Sequence, residues 1–181
     1  MIVAGIDPGT NPTIAVLDDV TGRFSIFDEL SAATRINGRN TSQPVPELIR
    51  FALSESAPDL VLIEHVWMRP TGGANAQGSV SQSRLVSSMH LCWGIAVGLG
   101  FRVDLVQPQK WKRHFRLHGD DKEDSRLKCL NLLPNAAGSL MRKKDHNRAE
   151  ALLLARYGLD LYQTNVAVRC TVAAETELLV G

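Results

Sequence analysis

The sequence predicts an α/β fold in which a mixed five-stranded sheet is flanked by helices. Two observations carry that prediction. Three β-forming runs separated by turn clusters fill the first 27 residues, as an antiparallel meander would. Two further strand-like runs then alternate with helix-compatible segments, and the remaining chain is helical in pattern.

The elements follow in order. Ile2 to Ile6 is a short apolar run closed by Asp7-Pro8-Gly9-Thr10, a strand running into a turn. Thr13 to Leu17 is rich in β-formers and ends at the turn cluster Asp18, Asp19, Thr21 and Gly22, after which Phe24 to Phe27 alternates as a strand. Ser31 to Ser42 is polar, with Asn and Gly, and is expected to be a loop. Pro46 to Ser56 places Leu48, Ile49, Ala52 and Leu53 at helical spacing, with proline suited to the first turn. Leu60 to Ile63 is apolar throughout, as a buried parallel strand is, and ends at Glu64. Residues 69–78 form a glycine-rich loop, about twenty helix-compatible residues reach Gly100, and Arg102 to Val106 supplies a last strand. Helices are expected near Lys110–Arg116, Asp121–Leu133 and Asp145–Tyr157, with Gly158 as the final stop. The expected organisation is a domain over 1–158 and a tail over 159–181, where Val166-Ala167-Val168 and Leu178-Leu179-Val180 suit added strands, an oligomer contact or a loose end.

Composition narrows the function classes. No run of 18 or more apolar residues is present, and no basic leader precedes the first strand, so a cytoplasmic, bacterial or phage setting is expected. The three cysteines, Cys92, Cys129 and Cys170, have neither zinc nor disulfide spacing. Net charge is +1, but residues 1–100 sum to −3 and residues 101–181 to +4. Basic helices with solvated faces explain that asymmetry; so does a site joining metal-binding acids to phosphate-binding cations.

The acids favour the second explanation. Asp7 and Glu64 each end an apolar strand, where a carboxylate is costly to bury without a cation or donor network. If those strands are neighbours, the two like charges lie close and a divalent cation relieves them. Each acid alone is equally well a strand cap. His146 and Glu150 are four apart and share one helix face. Asp145 stands where an N-cap belongs, and is a helper or alternative ligand. His146 suits a ligand or a base orienting water, or an exposed surface position. Hard ions such as magnesium take such oxygen donors, and two-metal phosphoryl transfer needs several of them converging from distant parts of a chain.

These residues carry a family resemblance. Gly5-Ile6-Asp7-Pro8-Gly9-Thr10 resembles the opening strand of RuvC-type Holliday-junction resolvases, which have a ribonuclease H-like fold, and Val61-Leu62-Ile63-Glu64 resembles their second acidic strand. Asp145-His146-Asn147-Arg148-Ala149-Glu150-Ala151-Leu152 resembles the final helix, particularly in the monokaryotic-chloroplast branch. That branch is echoed by Gln107 through Phe115 and by Asp121 through Arg126. The resemblance covers about residues 2–158 and implies a homodimer that nicks opposing strands of a four-way DNA junction with magnesium or manganese, two ions per site. It assigns metal to Asp7, Glu64, His146 and Glu150. The family commonly spaces the last two ligands by three; here Asn147 leaves a spacing of four.

Junctions are held through phosphates, so basic side chains should flank the acids. Lys110, Lys112, Arg113 and Arg116 cluster around Trp111 and Phe115; Lys122 and Arg126 follow; Arg142, Lys143, Lys144 and Arg148 surround the helix acids. The aromatics suit core anchors, and the cations suit either DNA or a solvated face. The Arg69–Gly78 loop suits a reach into the junction or a plain linker, and the small-residue helix after it suits a dimer surface. Other readings are a nuclease of this fold acting on other branched or single-stranded DNA, a binding protein without catalysis, and an actin-like ATPase, suggested by Asp-Pro-Gly-Thr, although such ATPases need two copies of the fold. A branch-migration helicase as partner is not readable from the sequence.

Overall fold

The computed structural model describes residues 1–36, 38–67, 77–117 and 122–180. Three antiparallel strands, β1 (Ile2–Asp7), β2 (Thr13–Asp18) and β3 (Phe24–Phe27), lead into β4 (Ser31–Ile36) and β5 (Arg39–Pro44). After them come α1 (Pro46–Ser56), β6 (Leu60–Glu64), α2 (Gln77–Gly98), β7 (Val103–Val106), α3 (Pro108–His114), α4 (Lys122–Leu132) and α5 (His146–Val180). Short 3-10 turns lie at Pro134–Ser139 and Lys143–Asp145.

The main sheet has the order β3-β2-β1-β6-β7, antiparallel on the β1–β2–β3 side and parallel across β1–β6–β7. This is the mixed five-stranded sheet expected. Its two faces bury different residues, as the two-residue side-chain period of a strand requires. Val3, Ala15, Leu17, Leu60 and Leu62 join the core beneath α5 with Leu152 and Leu153. Ala4, Ile6, Ile14, Val16, Val61 and Ile63 join the opposite core with Ile49, Leu53, Met89 and Cys92 of α1 and α2. Burial pushes the thiols of Cys92 and Cys129 up to about 12, so both behave as core apolar groups.

Two sequence expectations are corrected. Ser31–Ser42, expected as a loop, is most of a separate two-stranded ribbon, with Ser31 paired to Pro44 and Ile36 to Arg39. Ala32 to Arg35 are exposed, so the strand lacks the apolar alternation that marks a half-buried strand. Gly158, expected as a stop, lies inside α5, which continues to Val180; the strands considered for 166–168 and 178–180 are helix. A Cβ on Gly158 would stand 2.8 Å from both Leu62 Cδ1 and Val3 Cγ1, so the glycine serves close packing of helix on sheet. Most of the glycine-rich loop, 69–76, lies outside the described residues, while Gln77 and Gly78 already belong to α2. Among the described residues no helix is long and apolar enough to cross a membrane.

Candidate active site at the strand ends

The parallel pairing of β1 with β6 brings two expected acids to one end of the sheet. Ile6 faces Ile63 in the register, so Asp7 and Glu64 are the next residues on adjacent strands. Both continue the parity of residues buried under α5: Val3 and Gly5 precede Asp7, and Leu60 and Leu62 precede Glu64. Gly5 has no side chain to hold α5 away. A Cβ there would lie 2.2 Å from the Ala151 carbonyl oxygen and 2.5 Å from the Ala155 nitrogen. The helix backbone therefore rests on β1 directly beside Glu150.

Glu64 and Glu150 lie close enough for each charge to act on the other. Burial pushes the Glu64 carboxyl above its ordinary value, and the like charge of Glu150 pushes it the same way. A hydrogen bond from Trp111 and the charge of Lys112 pull in the other direction. Trp111, fully buried at the heart of α3, donates its Nε1–H to Glu64 Oε2 at 2.9 Å. Ser125 of α4 donates its hydroxyl to Glu150 Oε1 at 3.2 Å, and Lys112 Nζ stands 3.8 Å from the same oxygen. The lysine also lies 5.4 Å from the Trp111 ring centroid. Trp111 and Phe115 are thus core anchors, as one sequence reading held.

The roles of Trp111, Lys112 and Ser125 toward these acids escape sequence reasoning. The partners of Trp111 and Ser125 lie 47 and 25 residues away, and serine in a polar helix gives no signal of burial.

His146 and Asp145 stand differently. His146 opens α5 one turn before Glu150, and its Nδ1 lies 3.3 Å from the Lys143 carbonyl oxygen. A proton on Nδ1 makes that contact a hydrogen bond and leaves Nε2 as the lone-pair nitrogen. Asp145, only 4% exposed, is occupied by arginines. Its Oδ1 accepts from Arg142 Nη2 at 2.8 Å, its Oδ2 accepts from the Arg142 backbone N–H at 2.8 Å, and Arg148 stands 4.0 Å away. The Arg142 guanidinium holds the Asp145 carboxyl below the usual carboxylate range. The sequence predicts an N-cap here; Asp145 is instead the third residue of a capping box on the Lys143–Asp145 turn, its carboxylate reaching back to the backbone and guanidinium of Arg142.

The expected DNA-binding cations divide in the same way. Arg126 pairs with Glu123 and donates to the Leu140 carbonyl; Arg142 pairs with Asp145; Arg148 Nε donates to Asp28 at 2.6 Å. Arg126 and Arg148 tie chain segments together, while Arg142, still exposed, braces the turn that precedes α5. Lys110, Arg113, Arg116, Lys143 and Lys144 are exposed, whereas the side chain of Lys122 lies outside the described ones. A polar cavity of about 210 Å³, lined by Asn11, Thr13, Lys144, Asn147 and the Asp28, Asp145, Arg142 and Arg148 ion pairs, opens at the start of β2. Thr13 is the strand partner of Asp7, so this basic recess adjoins the acids.

Among the described residues no three acidic, histidine or cysteine side chains are gathered closely enough to hold a metal ion by themselves. A magnesium-like ion does not need such a cluster, because it keeps several waters and is held by one or two carboxylates together with substrate phosphate. Glu64 and Glu150, two oxygen donors within electrostatic reach of each other, with Asp7 at the adjoining strand end, are the donor chemistry such an ion takes.

No family model matches the chain. Among solved structures it superposes on Thermus thermophilus RuvC with a TM-score of 0.55 at 17% identity, covering 91% of this chain and 97% of that one. The fold is that of RuvC. A second T. thermophilus RuvC structure, in complex with a Holliday junction substrate, matches with a TM-score of 0.53 at 16% identity over 87% of this chain and 92% of that one. The RuvC resemblance extends to sequence over a short stretch. The chloroplastic Holliday junction resolvase MOC1 of Chlamydomonas reinhardtii is 36% identical over 67 residues, 36% of this chain. The matched stretch spans only 8% of that relative's length.

Proposed function

We propose that the chain is a structure-selective endonuclease that resolves four-way DNA junctions by symmetric paired nicks. The observation that carries this is the convergence of β1, β6 and α5, which brings Asp7, Glu64 and Glu150 to one end of a sheet with the RuvC fold. The solved relative in complex with a Holliday junction substrate and the resolvase named among curated proteins support the choice of DNA substrate.

Asp7, Glu64 and Glu150 would hold divalent cations, magnesium or manganese and two per site, with His146 as a fourth ligand or as the base that orients water. When bound, the ions supply charge stabilisation at the scissile phosphate and an acidified attacking water. The rest falls to the chain. Partial burial of Glu64 limits the water around its carboxylate, and Lys112 places a positive charge beside Glu150, where negative charge builds on the phosphate during transfer. Lys110, Arg113, Arg116, Lys143 and Lys144 offer exposed cations for the flanking backbone. Two copies related by a twofold axis would match two sites to two strands of the junction.

The test is incubation of the purified protein with a labelled synthetic four-way junction and, separately, with linear duplex, flap and single-stranded DNA, in magnesium or chelator. Paired symmetric nicks on the junction that need metal and vanish in Asp7→Asn are expected. Preferential cutting of a flap or single strand would reassign the substrate, and an intact junction under every metal would overturn the proposal.

A further inference from the structure

We propose that Trp111 and Ser125 are positioning residues for the metal-binding carboxylates: each anchors one oxygen of its partner acid and so aims the other. The inference rests on the nuclease function proposed above and deepens it.

A glutamate carboxylate turns easily about its last torsion, which is broad rather than staggered. Left alone, Glu64 and Glu150 would repel and turn apart. Trp111 prevents this at Glu64. Its indole has a single donor and no acceptor, and that donor is directed at Glu64 Oε2 at 2.9 Å. The ring is fully buried in the core beneath α5, so its direction is set by packing. With Oε2 anchored, Oε1 is the oxygen presented to a cation. Ser125, itself buried, does the same at Glu150: its hydroxyl reaches Oε1 at 3.2 Å, on the oxygen that Lys112 also approaches, which leaves Oε2 to present.

Neither donor belongs to the strands and helix that carry the acids. Trp111 comes from α3 and Ser125 from α4, and both helices pack on α5. Helices α3 and α4 thus form a layer outside the ligand layer. Such outer partners orient ligands and typically change metal affinity or activity about 10- to 100-fold when removed. Packing alone explains a buried indole. It does not explain why the one polar atom of that indole is paired with one of the acids.

Trp111→Phe keeps most of the packing and removes the donor; Ser125→Ala removes only a hydroxyl and carries the same test should the tryptophan variant not fold. The measurements are Mn2+ titration of DNA-free protein by calorimetry, thermal melting, and magnesium dependence of junction nicking. Each variant is expected to bind Mn2+ about tenfold more weakly. The magnesium needed for half-maximal nicking should rise by a similar factor, with the rate recovering at saturating metal. Ser125→Thr, which retains the hydroxyl, should restore affinity. Variants that bind Mn2+ as the wild type does would overturn the inference alone; wild-type protein that takes up no Mn2+ would overturn the nuclease proposal and this one with it.

Discussion

Gly5 and Ala151 lie backbone against backbone: a Cβ on the glycine would stand 2.2 Å from the alanine carbonyl oxygen. Neither atom sits at the end of a flexible side chain, so neither can swing away. The contact sets how far Glu150, one residue before Ala151, stands from the strand that ends in Asp7.

Gly5→Ala is therefore expected to cost about 3 kcal/mol of stability in urea denaturation and to abolish junction nicking. Gly158→Ala meets only the side-chain ends of Leu62 and Val3, which can shift, and should cost about 1 kcal/mol with nicking retained. Equal effects at the two positions would contradict the difference between backbone and side-chain contact.

Glu64→Gln should stabilise the metal-free protein by about 1 kcal/mol at neutral pH, the usual sign when a strained functional charge is removed. The wild-type Glu64 carboxyl is raised by burial and by Glu150. Its favourable contribution is full only where it is protonated in both states, below the ordinary carboxylate range, and is lost as pH rises through the raised value. The stability gap between variant and wild type should accordingly close toward low pH and widen toward neutrality. Added magnesium should narrow the gap at neutral pH, because it binds the folded wild type. A gap independent of pH would remove Glu64 from this role.

Asp145→Asn separates a cap from a ligand. Its carboxyl is held low by Arg142, so its contribution is present at neutral pH and is lost as pH falls through that lowered value. The substitution should cost about 2 kcal/mol near neutrality, less in acid, and leave Mn2+ affinity unchanged. A tenfold loss of that affinity would instead assign Asp145 to the ligand set.

Arg148 and Lys144 should part company in salt titrations of junction binding. Lys144→Ala and Arg113→Ala each remove an exposed cation, and each should lower the slope of log affinity against log salt by about one. Arg148 is held by Asp28 and by the Ser139 carbonyl. Arg148→Ala should lower the melting temperature and leave the slope as it was.

The strands were readable because four of the five carry their own apolar period or run, from Ile2–Ile6 through Leu60–Ile63. Asp7 and Glu64 were readable because each stands where such a run ends, and Glu150 because it shares a helix face with His146. The ribbon from Ser31 to Pro44 is not legible in the sequence since none of its described side chains is buried, and a strand without a buried face leaves little pattern. Gly158 misled because glycine's two uses, ending a helix and letting it approach a sheet, look alike in a sequence. The donors to Glu64 and Glu150 were hidden by distance along the chain; Trp111 showed only that something aromatic was anchored there.

The side-chain alternation that sorts β6 into its two cores also decides the chemistry. Slide that strand by a single residue against β1, and Leu60, Leu62 and Glu64 would all change sides together. Glu64 would then turn toward Met89 and Cys92, away from Trp111 and Glu150. Misfolding of that kind could not leave the three acids at one place, because the error that strands the leucines also dismantles the proposed cation site.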